Sequence, residues 1–252
     1  MEIFHRFGLT GAFRMAHVIV AFMWIGLLWF FNFVQTPAYA EMDPAARNNA
    51  FDKLTWRALW WFRWAAAATV LMGLLIIAVG ADSKTHQYDG TYWFKTASGV
   101  TLLTGIIMGI VMFLNVWLVI WPNQQIVIAN ARNLQAGGEA DPRAAAAARA
   151  GAMASRQNTI FSLPLLVFMV GAGHFFIDTH FVGVFDSSTK CLIFLIIGIV
   201  VVAVLEANAL GLISGRGNSG LNIIYETHQN AMITGFVLIV AFYILAEIIV
   251  RH

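Results

Sequence analysis

The chain has 252 residues, of which 60% are hydrophobic and only 11% are charged, with a mean hydropathy of +0.74. This excludes an ordinary soluble domain, because one soluble core of this length would not bury so much apolar surface. The formal net charge of +2 comes from scattered Lys and Arg residues, which excludes a basic nucleic-acid-binding face. A single cysteine, Cys191, excludes an internal disulfide and a cysteine-based metal cluster.

Six apolar segments are long enough to cross a hydrocarbon core, which takes about 20 helical residues each. They lack the period-2 alternation of barrel strands, and lipid offers no partner for unpaired backbone groups, so each crossing should be a helix. The predicted fold is an all-α polytopic membrane bundle of about six transmembrane helices, forming one domain over residues 1–252. The segments cover approximately residues 12–37, 58–80, 96–122, 158–182, 189–213 and 229–250.

The distribution of basic residues predicts the orientation of these spans. The side that holds the loops after the first, third and fifth spans carries nine Lys and Arg residues, against six on the other side. Positive residues favour the cytoplasmic side, so both termini are predicted to lie in the periplasm.

The longest polar stretch, residues 123–157, predicts a cytoplasmic helical hairpin between the third and fourth spans. Gly137 and Gly138 indicate a helix stop, Asp141 an N-cap and Pro142 a first-turn residue. The hairpin is either a docking surface for a partner or a plain solvated extension of the two helices.

Two histidines inside the predicted spans have similar depths. His17 lies on the first span, roughly 8 Å below the periplasmic boundary of the hydrocarbon core. His174 lies near the end of the fourth span, about 6 Å below the same boundary. Two neutral imidazoles at one depth on different helices suit axial ligation of a b-type haem. The alternative is that each histidine hydrogen-bonds to a neighbouring helix. His180 is near enough in sequence to compete with His174 as the ligand.

A second polar set lies in the predicted cytoplasmic half of the bundle. Its functional interpretations are a proton-linked site, a second haem with His228 as a ligand, or a quinone pocket built on Glu206, His228 and Trp117. The structural alternative is a Glu206–Arg63 ion pair within a polar network that fixes helix register. The set comprises Arg63, Asn115, Trp117, Glu206, Asn208 and His228.

Four segments carry a family resemblance. They read HVIVAFMWIG at residues 17–26, WFRWAAAATVLMGL at 61–74, NVWLVIWPNQ at 115–124 and SRQNTIFSLPLLVFMVGAGH at 155–174. These segments resemble the membrane domain of the bacterial membrane urate hydroxylases. The resemblance implies an oxidoreductase or electron-transfer subunit of the bacterial inner membrane that passes electrons to a cytochrome c or another respiratory-chain subunit, with a quinone as a further candidate partner.

The sequence also departs from that family. Full-length members have eight spans, a long loop after the first, and a cytochrome c domain with a CxxCH motif, whereas this chain has six predicted spans and no CxxCH. The family's RHN reads Arg156, Gln157, Asn158 here. If urate binds through those parts, this chain is not expected to oxidise it. The alternative function is a non-redox membrane protein, either a transporter or a structural subunit of a larger respiratory or photosynthetic complex.

Overall fold

The computed structural model describes residues 5–80, 95–172, 174 and 188–249. In these ranges the chain forms long helices and a 3-10 helix, Gly220–Tyr225, and it contains no strand. The predicted all-helical fold class is therefore confirmed. The long helices are α1 (Arg6–Glu41), α2 (Pro44–Gly80), α3 (Ala97–Gln135), α4 (Ala144–Gly171), α5 (Ser188–Ala209) and α6 (His228–Ile249).

Five of these helices, α1, α2, α3, α5 and α6, are long and apolar enough to cross a membrane, so the chain is a multi-pass membrane protein. The remaining predicted span, residues 158–182, starts in the second half of α4 and runs into residues outside the described part of the chain. Helix α4 packs against α3, α5, α6 and α1. From Met153 to Leu165 every side chain of α4 except Ser155 and Leu163 is buried, so α4 is the central helix of the described bundle.

Three of the long helices contain a π-helical segment. Those in α1 (Phe30–Gln35) and α3 (Asn115–Ile120) end just before Pro37 and Pro122. A proline ring clashes with the carbonyl four residues earlier, which belongs here to Phe33 and Leu118 in the π segments. A wider turn relieves such a clash, and π segments often occur at functional sites. The third, Phe51–Thr55 in α2, has no proline.

The α3–α4 turn lies within the predicted hairpin, residues 123–157. Gly137 adopts a positive φ of 79°, and the N–H of Gly138 donates to Asn133 O at 2.9 Å, as expected of a glycine helix stop. The predicted N-cap at Asp141 is wrong, because α4 begins at Ala144 with Arg143 in the capping position. The Asp141 carboxylate instead accepts the Arg143 backbone N–H at 2.8 Å, since aspartate readily closes a turn two residues on. Hydrogen bonds from Arg143 lower the pKa of Asp141.

Candidate functional site

Two hydrogen bonds set the register between α1 and α4. Trp29 Nε1 donates to Ser162 Oγ at 2.9 Å, and Asn32 Nδ2 donates to Ser155 Oγ at 2.8 Å. The residue number rises on α1 as it falls on α4, so the two helices are antiparallel. Their histidines can therefore be placed relative to one shared level, that of Trp29 and Ser162.

His17 lies in the seam between α1 and α2. Its Nδ1 is 2.8 Å from Thr69 O on α2. A Cβ at Gly73 would lie 3.3 Å from His17 Cε1, so the missing side chain at this position gives the imidazole its space. The ring is thus held by α2 on its Nδ1 side.

His174 lies just beyond the last residue of α4. Its Nδ1 is 2.8 Å from Val170 O, one turn earlier on its own helix, and the residue is exposed. His17 is 12 residues before Trp29 and His174 is 12 residues after Ser162. At 1.5 Å per helical residue, His17 lies about 18 Å from the shared level, and Gly171, the last residue of α4, lies about 14 Å from it in the same direction, with His174 following shortly after.

The two imidazoles have a donor pattern that fits metal ligation. A ring that donates from Nδ1 to a backbone carbonyl keeps the lone pair on Nε2, which is how metal-binding histidines are commonly held. The two rings bond to carbonyls of different helices, α2 for His17 and α4 for His174. His180 lies outside the described residues. Within the described ranges, no three His, Cys, Asp or Glu residues cluster as a metal site.

Arg63 and Trp117, predicted as parts of one site, are brought together. The guanidinium of Arg63 lies 5.6 Å from the ring centroid of Trp117 and 3.8 Å from that of Trp121. Trp64 packs edge-on against Trp117 at 5.4 Å. Arg63 is therefore stabilised by aromatic faces of α2 and α3.

Glu206 belongs to a different network, in which the side-chain amide of Asn115 joins three helices. Asn115 Nδ2 donates to Glu206 Oε2 at 2.9 Å and to Asn158 Oδ1 at 3.0 Å. Asn158 Nδ2 in turn donates to Met112 O at 3.0 Å. The Glu206–Arg63 ion pair considered as the structural alternative is not formed, because the carboxylate bonds to Asn115 and Arg63 lies over tryptophans.

His228 is the first residue of α6, and its ring centroid is 5.8 Å from that of Phe33 on α1. Among the described residues, the contacts of His228, Glu206 and Trp117 involve different neighbours. A quinone pocket built on these three residues therefore stays a prediction.

Sequence reasoning missed a buried polar band on α4, residues 156–159. Arg156 is only 8% exposed, and the three residues that follow it, Gln157, Asn158 and Thr159, are fully buried. Gln157 Oε1 accepts from the hydroxyl of Tyr225 at 2.7 Å. The sequence did contain a signal for this band, namely a run of polar residues at the start of the predicted fourth span. Hydropathy alone does not tell whether such a run is solvated or buried.

The Tyr225 hydroxyl is a donor to this band. Burial raises the pKa of Tyr225 to about 12, so the side chain stays protonated at neutral pH. Tyr225→Phe is expected to lower the free energy of unfolding by about 1 kcal/mol, because it removes the hydrogen bond to Gln157. Thermal unfolding in detergent measures this. The matched control is Tyr243→Phe on α6, where the side chain is 51% exposed. An equal loss of stability in both variants would show that the Tyr225–Gln157 hydrogen bond does not stabilise the fold.

Comparison with known proteins gives one family. The family model described as urate oxidase N-terminal matches residues 85–210, which is half of the 252 residues. The match covers α3, α4 and α5, and so includes Asn115, the buried band at 156–159 and Glu206. No curated protein and no solved structure matches the chain.

Proposed function

The chain belongs to the urate oxidase N-terminal family, and from this premise we propose that it is an integral-membrane oxidoreductase or electron-transfer subunit. In this proposal it binds a b-type haem through His17 and His174 and passes electrons to a cytochrome c or another respiratory-chain subunit. It lies in the bacterial inner membrane with the α3–α4 turn in the cytoplasm and both termini in the periplasm. Urate, which the family's description names, is the first substrate to try.

The observation that carries the proposal is that the two histidines form the same kind of hydrogen bond through Nδ1. Each has Nδ1 2.8 Å from a backbone carbonyl, and the antiparallel packing of α1 and α4 supports the proposal because both residues lie in the same direction from the Trp29–Ser162 bond. His17 and His174 would hold the iron through Nε2, and a haem so ligated supplies one-electron transfer. Thr69 O fixes the tautomer and the orientation of the His17 ring.

Two further groups have roles within this proposal. Glu206 holds a proton in the bundle, since an ionisable side chain inside a membrane commonly marks a functional path and its Oε2 is held by Asn115. Arg63 and Trp117 form the surface for the flat ring of a quinone. His228 is not assigned a ligand role, because its ring contact is with Phe33.

The test is a reduced-minus-oxidised visible spectrum and a pyridine haemochrome assay on protein purified after haem-replete expression. The signal of a b-type haem is expected in the intact protein and should be lost in His17→Ala and in His174→Ala. His228→Ala is the matched control and should keep the signal. An intact protein without haem, or one that keeps full haem in both ligand variants, would refute the assignment.

The alternative is a non-redox membrane protein. The packing of the His17 ring is the observation that supports this alternative. The ring occupies the space above Gly73 and bonds to Thr69 O, as a purely structural histidine would. In that case the protein lacks haem, and His17→Ala lowers thermal stability without any spectral change. The same preparations therefore decide between the two functions.

A further inference from the structure

Two neighbouring side chains in the buried band of α4 have N–H groups without an acceptor in the described part of the chain. These are Nη1 of Arg156, which is 8% exposed, and Nε2 of Gln157, which is 0% exposed. A buried donor left unpaired costs about 1–3 kcal/mol, and such groups are rare in folded proteins. An acceptor that is not part of this chain would remove that cost.

Both side chains adjoin the same short segment, residues 225–226, before α6. Gln157 Oε1 accepts from the Tyr225 hydroxyl at 2.7 Å, which fixes the amide and directs Nε2 away from Tyr225. Arg156 is attracted by the carboxylate of Glu226. The two unpaired donors therefore come from consecutive residues of α4 that share one neighbouring segment.

Glu226 does not neutralise the positive charge of Arg156. That carboxylate is already bonded to Arg149, whose Nη2 lies 2.6 Å from Glu226 Oε1. Two guanidinium groups thus share one carboxylate, and among the described contacts Arg156 makes no ion pair. A buried unpaired cation is costly, so the local field favours an anion.

We propose that Arg156 and Gln157 form a binding site for a small carboxylate anion. Arg156 Nη1 donates to one oxygen and Gln157 Nε2 to the other, since a carboxylate offers two adjacent acceptors and neutralises the second guanidinium. Tyr225 positions the Gln157 amide, and Arg149 keeps Glu226 occupied. The site is independent of the proposed haem, because neither histidine contributes to it.

The probe is radiolabelled acetate, bound to purified protein in detergent and measured by scintillation proximity in an acetate-free HEPES buffer. Saturable binding is expected. Arg156→Gln removes the cation and should weaken it by about tenfold or more, which corresponds to about 1.4 kcal/mol. Gln157→Glu replaces the second donor by a carboxylate and should abolish binding. Arg156→Lys keeps the charge without the planar fork and should bind with intermediate affinity.

Arg143→Gln is the matched control, because it makes the same change at an exposed arginine, whose side chain is 74% exposed and paired with Asp141. Its affinity should equal that of the intact protein. Failure of the intact protein to bind acetate, or equal affinity in Arg156→Gln, overturns the proposal. So does displacement of acetate by inorganic phosphate or phosphatidylglycerol at lower concentrations than unlabelled acetate, which would indicate a phosphate or lipid headgroup site. If Arg156→Gln aggregates, Gln157→Glu and Arg156→Lys test the proposal instead, and acetate affinity equal to that of the intact protein in both variants overturns it.

Discussion

Asn115→Leu is expected to lower the free energy of unfolding by about 3 kcal/mol. The Asn115 amide is 2% exposed and donates to both Asn158 Oδ1 and Glu206 Oε2. Its loss leaves the buried Glu206 carboxyl group and the Asn158 side-chain oxygen without this donor, and each buried polar group left unpaired costs about 1–3 kcal/mol. Chemical unfolding in mixed micelles measures the loss. Asn49→Leu, at an exposed position of α2, is the matched control and should change stability by less than about 0.5 kcal/mol.

A double-mutant cycle tests the reason for that loss. When Asn115→Leu is combined with Glu206→Leu, the carboxyl group that Asn115→Leu leaves without a donor is gone, so the double variant should be more stable than the sum of the two single losses predicts. Strictly additive losses would show that Asn115 and Glu206 act independently. They would also remove Asn115 as the group that holds the proposed proton site.

Gly235→Ala on α6 is expected to destabilise the protein by about 2 kcal/mol, although alanine is the better helix former by about 1 kcal/mol. A Cβ at this position would lie 2.7 Å from Leu163 Cδ1 and 3.0 Å from the backbone oxygen of Ile160. The leucine can rotate away, but a backbone carbonyl of the central helix α4 cannot. The expected result is therefore a wider separation of α4 and α6 and a lower melting temperature.

The matched control for this prediction is Gly26→Ala on α1. A Cβ there has nothing within 4 Å, so only the gain in helix propensity remains and stability should stay equal or rise slightly. Both variants are compared by thermal unfolding in the same detergent. A Gly235→Ala protein as stable as Gly26→Ala would mean that α4 and α6 do not pack this closely.

The amino-acid sequence by itself determined the membrane class, the helical fold and the stop of α3 at Gly137. Each follows from local properties: apolar runs of sufficient length, the need to pair backbone groups in lipid, and the positive φ that glycine accepts. The four motifs together also indicated the family, which is confirmed, and two of them, at 115–124 and 155–174, lie within the matched residues 85–210.

Only the tertiary structure decided which polar groups are partners. The sequence offered Arg63 as the partner of Glu206, but the carboxylate bonds to Asn115 and the guanidinium lies over Trp121. It named Arg156 and Gln157 as part of a family motif but did not predict their burial or their unpaired N–H groups, which are the basis of the proposed anion site. Partnership depends on how each helix is rotated about its axis, and the π turn that starts at Asn115 changes that rotation for every residue that follows. Such rotations are fixed by side-chain packing between distant segments, which hydropathy and spacing along one chain do not encode.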